Sequence, residues 1–229
     1  MKKLLLLPIC FFSFCLLKAQ TNETGVTRDN WFASFVTGYS IGGPKASFNN
    51  ALNDQYYNLP ESSFFGTINY PITGYKMPVL FMAGKKISKY GSLYVVAGQS
   101  NGGKAQGYNG TNSISFDYSV LQFTFGYQLS FPNTHFKVGL GPGLLVFKNN
   151  PSLNYQSVAS QSSTVPAATI NVRVPFGPEK KLFGIELFFQ LNIAPSVKMN
   201  EIVGETSVFQ TTTINMSSAI IGIAFAFRG

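Results

Sequence analysis

Between Trp31 and Arg228 the chain falls into eight segments in which apolar and polar residues alternate, and the connections between them switch strictly between short and long. Alternation with a period of two sends successive side chains to opposite faces of an extended strand, so each segment has one apolar and one polar face. The segments cover 31–41, 75–87, 90–99, 113–131, 135–148, 166–176, 182–195 and 212–228. Connections 88–89, 132–134 and 177–181 are tight, whereas 42–74, 100–112, 149–165 and 196–211 are long. An even number of antiparallel strands, short turns at one end and long loops at the other, is how a membrane barrel is threaded, with both chain ends on the periplasmic side. The expected fold is all-β: an eight-stranded antiparallel up-and-down transmembrane β-barrel with short periplasmic turns and long outer loops.

The faces carry the second sign. Segment 182–195 sets Phe183, Ile185, Leu187, Phe189, Leu191 and Ile193 against Gly184, Glu186, Phe188, Gln190 and Asn192. Segment 113–131 opposes Leu121, Phe123, Phe125, Tyr127, Leu129 and Phe131 to Gln122, Thr124, Gly126, Gln128 and Ser130. Each apolar face runs about 9–11 residues, the length a tilted strand needs to cross hydrocarbon. Aromatic rings gather at the short turns and chain ends, where Trp31, Tyr90, Phe131, Phe136, Phe176, Phe183 and Phe227 would form one girdle. Tyr39, Tyr75, Phe116, Tyr118, Phe147 and Phe209 would form another near the long loops, since amphipathic rings settle at water–lipid interfaces. No segment after the first twenty residues approaches 18 uninterrupted apolar residues, so helical spans are not expected.

Residues 1–19 read as a signal peptide: Lys2 and Lys3 precede an apolar run from Leu4 to Leu17, which is shorter than the roughly 20 residues of a spanning helix. Residues 20–30 follow as a periplasmic segment and 31–229 as the barrel domain. Both cysteines, Cys10 and Cys15, lie in the leader, and Ile9 and Phe14 stand where a lipid-attachment site wants a small residue. The exported chain therefore has no disulfide, zinc–thiolate site or cysteine nucleophile. The 17 basic residues less Lys2, Lys3 and Lys18 leave 14 against 9 acidic, a net +5 without a basic block. Such a balance does not fit nucleic-acid binding and does fit anionic lipid headgroups.

Few residues invite chemistry. The stretch Gly139 to Gly143 lies in a strand, lacks a following Lys-Ser/Thr and opens no helix, so no phosphate site is expected. Its glycines are read as making room inside a narrow barrel, with a bend or bulge at Pro142. His135, the only histidine, falls at a periplasmic turn, the wrong end for lipid-modifying chemistry at the outer rim. The loop carboxylates Asp54, Glu61, Glu201 and Glu205 are scattered. No catalytic, metal or cofactor residues are therefore assigned. Arg173 and Glu186 fall on inward faces at similar distances from the turn near Pro178 and Glu179, and a charge in a narrow lumen must be paired. They are expected to face each other as a structural ion pair extended by Lys137, Gln190 and Asn171. In the first long loop Pro44 opens a helix whose Phe48, Ala51, Leu52 and Tyr56 recur at helical spacing opposite Asn49, Asn50 and Asn53. Phe48, Leu52 and Tyr56 are candidate contacts of a helix lying on lipid or folded over the mouth.

The Ala19-Gln20 leader end, the Gly42-Gly43-Pro44 opening of the first loop, the Gly139-Leu140-Gly141-Pro142-Gly143 stretch and a last strand alternating Ala219, Ile221, Ile223, Phe225 and Phe227 resemble the small outer-membrane β-barrel family of Bacteroidota-type bacteria. That family shares the eight-stranded OmpX/OmpA-like fold. The resemblance implies residence in the outer membrane, contact with its lipids, and delivery by the barrel-assembly machinery. The chain departs from the family in its tail, where Arg228 and Gly229 follow the terminal aromatic Phe227. The expected role is non-enzymatic, structural or in surface interaction, with a lumen filled by side chains and an unidentified partner reached through the outer loops. Two alternatives are a secreted lipocalin-like carrier, which would point its apolar face inward, and a narrow outer-membrane transport or binding barrel.

Overall fold

The structure, a computed structural model, describes residues 31–56, 74–108, 112–131, 136–176, 182–203 and 208–228. The leader and segment 20–30, His135 and the residues of turns 132–135 and 177–181 lie outside them. Eight strands build one sheet: β1 (Trp31–Gly42), β2 (Val79–Lys86), β3 (Gly91–Tyr108), β4 (Ser113–Phe131), β5 (Phe136–Leu153), β6 (Gln161–Phe176), β7 (Phe183–Ile193) and β8 (Ser218–Arg228). Each pairs antiparallel with the next. β8 returns to β1 over the register Phe32↔Arg228 to Gly42↔Ser218, which closes the barrel. Closure removes the unpaired strand edges that an open sheet would leave. At the seam Gly38 faces Gly222, and a Cβ on Gly38 would sit 2.2 Å from the Ile221 carbonyl oxygen.

Faces follow the alternation. Phe123, Phe125, Tyr127, Leu129 and Phe131 of β4 are exposed on the outside, while Gln122, Thr124 and Gln128 are buried inside. On β7 Phe183, Ile185, Leu187, Phe189 and Ile193 face out, and Glu186, Phe188, Gln190 and Asn192 face in.

Two of the expected loops are strand instead. β3 and β4 form one hairpin up to Tyr108↔Ser113, and β5 runs on to Leu153, so 100–108 and much of 149–165 continue the wall. Polarity inverts along each of these strands. In β4 the outward positions change from Phe123 and Leu121 to Ser119, Asp117 and Ser115, while the inward ones change from Thr124 and Gln122 to Val120, Tyr118, Phe116 and Ile114. In β5 the exterior passes from Leu144 to Lys148 and Asn150 as the interior takes up Leu145 and Phe147. Such a swap of the apolar face from outside to inside reads as a loop to a search for one continuous apolar face.

The expected outer girdle is corrected by the same inversion. Tyr39 is exposed, with its ring 4.7 Å from that of Tyr75, but Phe116, Tyr118, Phe147 and Phe209 are buried. They belong to an apolar core that fills the outer mouth. Helix α1 (Pro44–Tyr56) enters it, launched by Gly42 and Gly43, whose φ of 75° and 68° turn the chain where a side chain would be strained. The Phe48 ring stacks on Phe116 at 4.7 Å and lies 5.0 Å from Tyr118. The segment after β7 supplies the rest. Val197–Met199 pairs with Thr212–Ile214 and Ile202–Val203 with Val208–Phe209, and these ribbons bury Met199, Ile202, Phe209 and Ile214. The expected strand 212–228 is thus broken at 215–217, and only its second part belongs to the barrel.

Two smaller departures concern register. No bulge forms at Pro142: β4 and β5 lose their pairing opposite Phe125 and Gly126 and resume in the same register, because a missing donor adds no residue. The bulge lies instead in β3 between Gln99 and Asn101, beside Gly98. It shifts the inward phase from Tyr94 and Val96 to Ala105.

Truncating the fully buried Phe48 to Ala should remove about 3–5 kcal/mol of cap packing. Amide exchange across 44–56 is expected to accelerate strongly in the Phe48→Ala chain while exchange in β7 and β8 stays protected.

Candidate functional site: the barrel interior and its outer cap

The interior is arranged in three levels from turn end to loop end. At the turn end Glu186, fully buried, accepts from Arg173 Nε at 2.5 Å, from Arg228 Nη2 at 2.6 Å and from Lys137 Nζ at 3.3 Å. Arg173 Nη2 also meets Glu186 in a second contact. The Arg173 guanidinium donates to Ser34 Oγ at 2.7 Å, approaches Met82 Sδ at 3.2 Å and lies 5.1 Å from the Phe32 ring centre. One carboxylate thus collects three cations, and its neighbours enclose the most deeply buried of them.

The sequence expectation placed Arg173 and Glu186 directly opposite each other. The register corrects this: Arg173 faces Phe188, Glu186 faces Pro175, and the two bond diagonally over two residues. Long side chains reach that diagonal easily. Lys137 lies directly opposite Arg173 and joins the cluster. Arg228 was not foreseen, although parity with Ala224 and Ala226 in β8 marks it as inward-facing.

The middle level is neutral and polar. Gln190 Nε2 donates to Gln122 Oε1 at 2.8 Å, Asn192 Nδ2 to the same oxygen at 3.1 Å, and Thr169 Oγ1 to Asn192 Oδ1 at 3.1 Å. Thr124 hydroxyl bonds with Thr169 at 3.2 Å and accepts from Gln122 Nε2 at 2.9 Å. Gln190 and Asn171, expected as extensions of the ion pair, belong here: Asn171 Nδ2 donates to Tyr94 Oη at 2.8 Å. Glycines leave the room this level needs. A Cβ on Gly126 would meet the Tyr94 ring at 2.5 Å, and one on Gly139 would meet the Asn171 amide at 2.6 Å. The opposite wall of the lower barrel is apolar, with Val36, Leu80, Val96, Ile220 and Ala224 packed around Phe188.

The third level is the apolar cap. Phe48 and Leu52 are fully buried in it, and Tyr56 ends the helix with its side chain outside the described residues. Asn50 and Asn53 are exposed on the opposite side of the helix, so it folds into the mouth and does not lie on lipid. The turn-end rings Trp31, Tyr90, Phe131, Phe136, Phe176 and Phe183 are all exposed on the outer surface, and Phe227, half-buried, meets Phe183 edge-on at 5.2 Å.

Among the described residues no group of three or more His, Cys, Asp or Glu side chains gathers as a metal site would require. Among the described residues a shallow groove of about 630 Å³ forms where Pro142, Pro166 and Ala168 lie between Leu140, Ile170 and Ile193.

No protein-family profile and no curated protein sequence matches the chain. Solved structures similar to it include the outer membrane protein AlkL in lipid bilayers, at 14% identity and TM-score 0.44, covering 91% of this chain and 94% of that one. Another is Ail, the attachment invasion locus protein of Yersinia pestis, at 12% identity and TM-score 0.45, covering 88% and 100%. A third is OprG of Pseudomonas aeruginosa, at 12% and 0.43, covering 88% and 98%. The barrel assignment rests on this chain's own strand pairing.

Replacing Glu186 with Gln removes the one negative charge that three cations share, the deeply buried Arg173 among them, and a loss of about 3–5 kcal/mol is expected. Arg173→Met should cost less, because Lys137 and Arg228 still serve the carboxylate. Denaturant midpoints of both variants in one detergent check the order.

Proposed function

We propose that the chain is an integral outer-membrane barrel whose lumen is closed by its own side chains and whose work, non-enzymatic, is done at its outer surface. The observation that carries this reading is the orientation of its faces. Phe123, Phe125, Leu140, Leu144, Leu187, Phe189, Ile221 and Ile223 stand exposed around the lower barrel, and a contiguous apolar surface of that extent suits lipid, not water. On β4 the apolar exterior spans Leu121 to Phe131, ten steps of about 3.3 Å, or roughly 25 Å once tilted by about 40°. That matches the apolar band of outer-membrane barrels. The Trp31, Tyr90, Phe131 and Phe136 rings border one side of it, and the polar outward residues Asp117 and Lys148 begin on the other.

The same orientation argues against a lipocalin-like carrier, whose apolar face would line an internal cavity. Here the lower interior holds Glu186, Arg173, Gln122 and Asn192, and the apolar upper interior is filled by α1 and the ribbons. The fill also disfavours a narrow transport barrel. An outer wall of Ser, Asn, Asp and Lys side chains on β4, β5 and β6 offers the surface for a partner. Outer-membrane lipids and the assembly machinery reading the last strand complete the set of partners in this reading.

Outer-membrane fractionation, with gel mobility compared before and after boiling in detergent, tests the proposal. A membrane-bound species that shifts on heating is the expected result; a soluble protein with no heat shift would overturn it. In planar bilayers the protein should give no steps of the size an open porin gives.

A further inference from the structure

The turn end carries a charge excess that its lumen cluster does not absorb. Among the described residues that end holds Lys85, Lys86, Lys89, Lys137, Arg173 and Arg228 against the single carboxylate of Glu186. At the loop end Lys45, Lys76, Lys104, Lys148 and Lys198 stand with Asp54, Asp117 and Glu201, and Lys76 bonds directly to Asp117. The remaining sequence does not redress this balance: segments 20–30 and 177–181 carry Arg28, Lys180 and Lys181 against Glu23, Asp29 and Glu179, and the long loops add only Glu61 and Glu205.

The exposed lysines sit at a particular depth. Lys85 Nζ lies 5.2 Å from the ring centre of Trp31, and Lys89 Nζ 5.2 Å from that of Tyr90. Both rings face outward, 52% and 44% exposed, at the lower border of the apolar belt. Amphipathic rings settle at the headgroup level of a bilayer, and lysine stems run along apolar surface to hold the ammonium in the polar layer. An ammonium held over such a ring is therefore at phosphate height.

We propose that the turn-end rim is a docking surface for anionic phospholipid headgroups of the periplasmic leaflet, with Lys85 and Lys89 meeting headgroup phosphates beside the Trp31 and Tyr90 rings. The inference rests on the outer-membrane reading above, which places this rim in that leaflet. Trp31, the chain's only tryptophan, stands in the rim and serves as its reporter.

The full chain, reconstituted in phosphatidylcholine vesicles, is titrated with brominated phosphatidylglycerol or brominated phosphatidylcholine while Trp31 emission is followed. Half-quenching is expected at a several-fold lower mole fraction of the anionic lipid; about fivefold is what one surface lysine confers. The preference should fall toward one in Lys85→Gln/Lys89→Gln, and in the unmodified protein at about 1 M salt, where screening reaches about 3 Å. Equal quenching by both lipids in the unmodified protein would overturn the rim proposal and leave the barrel reading intact. A preference that survives both the substitutions and the salt would overturn it as well. Quenching by neither lipid would mean that no insertion occurs, and the outer-membrane reading itself would fail.

Discussion

In the outer-membrane setting proposed above, the rest of the structure depends on satisfying backbone polarity inside an apolar surround. Lipid offers no partner to an N–H or a carbonyl, so a strand presenting Phe123, Leu140, Leu187 and Ile223 outward must find every ladder bond within the sheet. Closure of β8 on β1 supplies the last row. Closure at eight strands in turn fixes a narrow interior, and whatever faces inward must be packed and paired there. The diagonal Arg173–Glu186 contact, the amide and hydroxyl network around Gln122, and the glycines beneath Tyr94 and Asn171 all answer that second demand.

Much of this was legible in the sequence because parity along a strand is unambiguous wherever one face is apolar. The outward set of β7 and the inward set holding Glu186, Gln190 and Asn192 follow from counting by twos. Parity does not give register, so Arg173 and Glu186 could be assigned to the interior but not to a diagonal. It also fails where polarity inverts. Phe116 and Phe147 are aromatic residues on strands near a loop, and only the location of water outside the wall decides whether they line a membrane interface or a core. The helix was readable from Pro44 and the spacing of Phe48, Ala51 and Leu52, but the surface receiving it is built from β3, β4 and β5 together with ribbons distant in sequence.

The interior changes character along its length, from a charged base through a neutral polar middle to an apolar top. The gradient is set by what each level touches. The base borders the turn end, where Lys137 and Arg228 are partly solvated while Glu186 and Arg173 are not. The top is a core of ordinary soluble-protein kind, walled by strands whose outer faces are wet. Apart from β3, which lends Ala105 to the upper core and Tyr94 and Val96 to the lower one, the two apolar cores are packed on different elements, so loosening α1 leaves most of the lower barrel's ladder in place.

The glycine pair at the seam bears on the order of assembly. Gly38 and Gly222 bring together the first and last strands, the pairing with the greatest separation along the chain of all eight. Every other neighbour pair is a hairpin or a local connection and can form while later strands are still absent. Only the seam requires the whole chain to be present, and at its centre two backbones approach with no Cβ between them to set a side-chain fit. Among the strand pairings, the largest loop-closure entropy therefore falls on this one zipper. A chain stopped anywhere short of β8 has two open edges and no way to hide them.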